Sequence, residues 1–299
     1  MARNYLLAQD GATVLTESRR MPAFDIDAWV ARSRAVDLSA IDWAAVAQHP
    51  VSADTIRTLR YMQDIESHTI IYTRALLATR AIDDPEVATF LACWLYEETF
   101  HGLAIARFLQ AAGLPIGERA RPRGSESFPQ WLEARMIALL SRVWPDFCAV
   151  HMTWGAINEL TTLTGYRRLA ARCDHPVLTD LLERIILDES RHFFFYYRQA
   201  EIRLQRRAVA RVARLLVDRF WSPVGTGVQP EAELRFLATY LFAGPEGRAA
   251  ARKVDDTIRR LPGFETVRLL ESWMDRHVGN IGDRSPAQRE GGRNGHRNH

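Results

Sequence analysis

Two short segments pair a carboxylate with an imidazole three residues later: Glu98-Thr99-Phe100-His101 and Glu189-Ser190-Arg191-His192. On a helix, positions i and i+3 share a face, so each pair can aim both groups at one point. Glutamate oxygen and histidine nitrogen together suit divalent iron or manganese better than soft metals. Glu98 closes the apolar stretch Ala92-Cys93-Trp94-Leu95-Tyr96-Glu97, and Glu189 follows the leucine- and isoleucine-rich run from Leu181 to Leu187. A carboxylate buried in such surroundings needs a partner, because an unpaired charge in low dielectric is costly. A cation is the natural one.

The elements that must position these groups are helices. Apolar residues recur at i, i+3, i+4 and i+7 along the chain, and no segment keeps a period-two alternation. The pattern predicts an all-α fold with four long helices at about 52–81, 85–112, 147–173 and 176–207. Ile82-Asp83-Asp84-Pro85 separates the first two, with an aspartate cap and proline at the first helical position. Cys173-Asp174-His175-Pro176 separates the last two on the same logic. Between the two hairpins lies a long connection through Gly113-Leu114-Pro115 and Gly124-Ser125, with a further helix at about 129–144. Two helical hairpins joined by one long crossover make the ferritin-like variant of the four-helix bundle.

The hairpins supply two more ligands. Antiparallel helices set residues at equal distance from their turn at equal height. Reflecting Glu98 across residue 82 gives Glu66, and reflecting Glu189 across residue 174 gives Glu159. Each then lies about 15 residues, roughly 23 Å, from its turn. Each hairpin thus contributes one lone glutamate and one Glu-x-x-His at the same depth. The predicted metal ligands are Glu66, Glu98, His101, Glu159, Glu189 and His192, the set found in di-iron and di-manganese carboxylate bundles.

Other residues flank this set. Thr162 follows Glu159 by one turn; its hydroxyl either faces the metal side or bonds its own helix backbone. Asp188 either accepts the outer N–H of His101 or lies at the surface. His68, two residues after Glu66, points away and is read as a non-ligand. Phe193-Phe194-Phe195-Tyr196-Tyr197 is read as packing.

Short helices are expected around Trp29 and Trp43, and helices near 230–243, 247–261 and 263–278 after a short one beyond 207. One domain is expected over residues 1–281, with its core at about 52–207, a loose arm over 1–20 and a disordered tail over 282–299. The 299 residues are 47% hydrophobic and 25% charged, with net charge +3 and pI about 8.9. Lys253 is the only lysine, so the basic character is arginine. No basic run is interleaved with aromatics, which gives nucleic-acid binding no support. No apolar stretch reaches the roughly 20 residues of a membrane span, and the N-terminus lacks a sustained apolar run of the signal-peptide kind. Cys93, Cys148 and Cys173 have no short-spaced pairing, which fits reduced thiols and a cytoplasmic location.

Around its ligands the chain resembles the soluble acyl-carrier-protein desaturases. That family carries Glu-Glu-Asn-Arg-His-Gly and Asp-Glu-Lys-Arg-His-Glu; here stand Glu97-Glu98-Thr99-Phe100-His101-Gly102 and Asp188-Glu189-Ser190-Arg191-His192-Phe193. The resemblance covers roughly residues 55–210. It implies a pair of iron ions, dioxygen as co-substrate, and hydrogen abstraction from an acyl chain to give an alkene. It implies Asp188 as the acid behind a ligand histidine and Thr162 beside the oxygen site. It further implies a homodimer, an acyl-carrier-protein thioester substrate and a ferredoxin-type electron donor. Phe100 stands where the family has arginine, and Ser190 where it has lysine. Related bundles hydroxylate small molecules or oxidise amines, and ferritins store iron without such chemistry.

Overall fold

The computed structural model describes residues 23–115, 139–227 and 229–279. Among these residues the chain is helical and contains no strand beyond an isolated bridge between Thr226 and Gln229. The elements are α1 (Ile26–Val30), a 3₁₀ turn at Trp43–Gln48, α2 (Ala53–Ser67), α3 (Thr69–Leu77), a 3₁₀ turn at Arg80–Asp83, and α4 (Pro85–Ala111). Residues 139–143 form the described part of α5. A 3₁₀ turn at Pro145–Phe147 leads into α6 (Cys148–Ala170) and α7 (Pro176–Arg203). Then come α8 (Arg207–Phe220), α9 (Glu231–Phe242), α10 (Gly244–Ile258) and α11 (Leu270–His277). The expected arm at 1–20, the start of the helix at 129–144 and the tail at 282–299 lie outside the described residues. Among the described residues no helix is long and apolar enough to cross a membrane.

Four of these helices surround one interior. α2 packs on α4, α6 on α7, and α4 also meets α7. α4 starts where the sequence places it: Asp84 accepts from the backbone N–H groups of Glu86 and Val87, and Pro85 fills the first helical position. Asp84 also pairs with Arg203 at the far end of α7. Inside, Phe90 stacks on Phe195 with ring centroids 3.7 Å apart, an aromatic plug on the side of the interior where α1 lies.

Three expectations need correction. The helix expected over 52–81 is interrupted at His68. The Ser67 hydroxyl donates to the Gln63 carbonyl at 2.7 Å, and His68 Nδ1 lies 2.6 Å from the Asp64 carbonyl oxygen. His68 Nδ1 thereby takes the acceptor that its own N–H would use in a continuing helix, and that N–H turns to the Ile65 carbonyl at 2.9 Å. The cap of α7 is His175, whose Nδ1 accepts from Leu178 N–H, not an aspartate. Asp174, three residues beyond the cap of α6 at Ala171, takes a left-handed conformation (φ 43°) that the short side chain of aspartate tolerates.

At the C-terminal end, α10 runs from Gly244 to Ile258 instead of 247–261, and α11 begins only at Leu270. The buried Asp255 carboxylate accepts the N–H groups of Leu269, Leu270 and Glu271 at 3.0–3.2 Å, so a side chain of α10 caps α11. Asp255→Ala leaves those donors buried and unpaired. The expected loss is about 1–3 kcal/mol of stability, read as a lower urea midpoint at unchanged slope; an unmoved midpoint rejects the cap.

Candidate metal centre

α2, α4, α6 and α7 each deliver one glutamate to the shared interior. Glu66 comes from α2, Glu98 and His101 from α4, Glu159 from α6, and Glu189 and His192 from α7. All six are buried. Their ligand atoms gather into two quartets, each within 4.8 Å: Glu66, Glu98, His101 and Glu189; and Glu98, Glu159, Glu189 and His192. Glu98 and Glu189 belong to both. These groups could hold metal ions, and no other cluster of this kind occurs among the described residues.

The two imidazoles have matching orientations. His101 turns Nδ1 inward, 3.3 Å from Glu98 and 3.1 Å from Glu189, and Nε2 outward, 3.3 Å from Asp188. His192 turns Nδ1 inward, 3.0 Å from Glu98, and Nε2 outward, 3.0 Å from Glu97. The outer acids cross over: Asp188 of α7 holds the histidine of α4, and Glu97 of α4 holds the histidine of α7. Arg191 bridges them, 2.5 Å from Asp188 and 3.5 Å from Glu97. Its guanidinium also lies 5.3 Å from the Trp29 ring, which packs on His192. An acid that orients the outer nitrogen of a metal-ligating histidine fixes its tautomer and raises its basicity.

The sequence reading placed Asp188 at His101 but did not assign Glu97. The signal was present, because an acid precedes each Glu-x-x-His pair. It also missed Tyr166, two turns beyond Glu159 on α6, whose phenol hydrogen-bonds Glu66. His68 stands outside both quartets, against Asp64.

Electrostatics shows the strain of this gathering. Burial, then the neighbouring Glu98 charge, pushes the Glu66 carboxyl well above its ordinary value. Burial, then the charges of Glu189 and Glu98, does the same to Glu159. Burial opposes ionisation of Glu98 too, yet the hydrogen bond with Glu66 and the nearby His192 and His101 hold it well below. Burial disfavours charge on the imidazoles, but their acidic partners raise both His101 and His192. Both oxygens of Glu189 and Nδ1 of His192 are buried without a well-directed hydrogen bond. Four carboxylates with two neutral imidazoles carry four negative charges, which two divalent cations would balance. The donor set and its orphaned inner atoms fit such a pair.

A cavity of about 410 Å³ adjoins the cluster and touches Glu66, Glu98, Glu159 and Glu189. Thr162 lines it. Thr153, Thr161 and Thr164 all return their hydroxyls to carbonyls four residues earlier, whereas no such bond ties Thr162. Gly155 lines the cavity as well, and a Cβ there would lie 2.2 Å from the Tyr196 ring, so glycine lets that ring close the wall. His151 stands further along α6 on the same wall.

No protein-family model matches the chain, and no curated protein or solved structure matches it either.

Burial pushes the His151 imidazole down from 6.5 to about 4. Below about pH 6.5 the unfolded chain takes a proton that the folded chain refuses. Its contribution is therefore full above that pH and is lost as pH falls towards about 4, by about 3 kcal/mol. His151→Phe should flatten the fall in unfolding free energy between pH 6.5 and 4 relative to the unaltered protein. Parallel curves would mean that the ring is solvated.

Proposed function

We propose that α2, α4, α6 and α7 form a ferritin-like bundle and that the chain is a di-iron, dioxygen-dependent oxidoreductase akin to the soluble acyl-carrier-protein desaturases. The observation that carries this reading is the pair of overlapping quartets sharing Glu98 and Glu189. Glu66 and His101 would complete the set for one ion, Glu159 and His192 for the other. When bound, the irons would supply the dioxygen reduction and oxidising power needed to take hydrogen from an unactivated C–H bond.

The chain's own residues define the rest. Glu98 and Glu189, which belong to both quartets, would be held in common by the two ions. Glu97, Asp188 and Arg191 keep the imidazoles aimed. Tyr166 holds one oxygen of Glu66 by donating its hydroxyl proton. Trp94, Trp154 and Tyr196 line the cavity beside the carboxylates and give a substrate apolar walls. Thr162 offers a hydroxyl at the cavity face one turn from Glu159, free to donate to an oxygen atom there.

The resemblance brings a homodimer, an acyl-carrier-protein thioester and a ferredoxin-type donor into the proposal. Tyr96 and Leu103, two turns apart on α4, and Leu187 on α7 are exposed apolar positions that a second copy would cover. The arginine-rich composition suits acidic carrier and donor proteins. Phe100 and Ser190, which replace two basic residues of the family motif, separate this chain from the desaturase pattern outside the ligands.

Anaerobic Fe(II) loading should give two irons per chain, and less than about one would reject the metal centre. Glu98→Ala and His192→Ala should lose iron while keeping the helical circular dichroism. Glu97→Gln and Asp188→Asn should each weaken iron binding about 10–100-fold in chelator competition; unchanged affinity would make these acids bystanders. Incubation with reduced ferredoxin, dioxygen and a panel of acyl-carrier-protein thioesters should give a product lighter by two hydrogens. A product heavier by one oxygen would make the protein a monooxygenase, and iron uptake without any product would favour iron handling.

A further inference from the structure

α9, α11 and the chain at Pro223 and Val224 close a second space of about 80 Å³ against α2 and α6. Ile65, Glu66, Thr162, Pro223 and Val224 line both this chamber and the larger cavity, so the two meet beside the carboxylates. Away from that junction the chamber is apolar, with Met62, Leu234, Ala238, Leu241, Phe242 and Leu270 among its walls. Two of its hydroxyls are already spent. That of Tyr61 donates to the Val224 carbonyl at 2.7 Å, and that of Thr161 to the Ile157 carbonyl at 2.7 Å. No arginine, lysine, histidine or aspartate lines it. Apolar cavities stay dry and take apolar guests.

Gly165 keeps this chamber open. It lies inside α6, one turn beyond Thr162 and on the same face. Glycine inside a helix is less stable than alanine, and packing does not demand it here. A Cβ would meet Leu241 Cδ1 at 3.6 Å and Met62 Cε at 3.7 Å, ordinary contacts with two chamber walls. Gly155 differs, since a Cβ there would run into the Tyr196 ring. What Gly165 provides is room.

We propose that the chamber seats the apolar end of a molecule whose body lies in the larger cavity, and that Gly165 sets how far that end extends past Thr162. Tyr72 and Thr226, which line the larger cavity, are exposed, so the body enters from that side. A cavity of about 150 Å³ takes a benzene ring, so one of about 80 Å³ takes about three carbon atoms. A hydrocarbon end loses nothing on entering, whereas a charged or hydroxylated end would give up water for walls that offer no partner. The position of the reacting carbon beside Thr162 rests on the oxidoreductase reading; the seat does not. Together they place the reacting carbon within about three carbons of the apolar end.

Primary alcohols of increasing length, from pentan-1-ol to dodecan-1-ol, test this on the full chain after anaerobic Fe(II) loading. Binding is read from tryptophan fluorescence, to which Trp273 in the chamber wall contributes. Affinity should rise about fourfold per methylene until the chamber is full and then level off. Gly165→Ala should raise the urea midpoint, leave the short alcohols unchanged and bring the levelling about one carbon earlier. Gly165→Leu should bring it about three carbons earlier. Xenon, followed by xenon-129 NMR, should enter the unaltered chamber and lose that site in Gly165→Leu. Levelling at the same length in all three proteins overturns the proposal, even where xenon is displaced, because the chamber would then hold only a free gas. Absence of xenon binding overturns it as well. So does a lower urea midpoint in Gly165→Ala, because packing would then demand the glycine. Iron content of the same samples separates the two readings. A length limit that moves with the side chain at 165 in protein without iron keeps the seat and loses the oxidoreductase, while iron with an unmoved limit does the reverse.

Discussion

Four carboxylates drawn within 4.8 Å of shared partners in an apolar interior repel one another, and the surrounding structure is organised to contain that repulsion. Removing a carboxylate from water costs several kcal/mol even after relaxation. Opposite charge has to come from inside the cluster. Protons held on Glu66 and Glu159, with positive charge on His101 and His192, are one way to supply it. A pair of divalent cations would supply the same four charges while leaving both imidazoles neutral and all four carboxylates ionised.

The helices bear this demand because the hairpins put equal lengths of chain on either side of each turn. The crossed acids then couple them. Since Glu97 reaches His192 and Asp188 reaches His101, neither α4 nor α7 can rotate without releasing the partner's imidazole. Arg191 joins both acids on the outside, and the Trp29 ring covers that arginine. A lone charged layer between two helices would be a weak point; here it is the layer that sets their mutual rotation.

What could be read from the sequence was periodic or symmetric. Helix period gave the helical class, Asp84-Pro85 gave the start of α4, and mirror spacing brought Glu66 and Glu159 to the cluster. What could not be read depends on single contacts. The break at His68 comes with its ring taking the Asp64 carbonyl while its own N–H turns to Ile65, in a stretch whose apolar period continues. The capping of α11 by Asp255 joins residues 14–16 apart across a loop, a distance no local pattern spans. Tyr166 is an ordinary core tyrosine until Glu66 is set opposite it.

The break at His68 also makes the four glutamates unequal. Glu98, Glu159 and Glu189 sit in the middle of long helices, while Glu66 occupies the penultimate residue of α2. Gly102 brings α4 close at this point, its hypothetical Cβ 3.2 Å from that of Glu66, so packing and the Tyr166 phenol secure this carboxylate more than its own helix does. Helix ends fray at far lower free energy than helix centres. Amide exchange in the ligand shell should therefore begin at the end of α2, beside the cavity that already opens on all four glutamates.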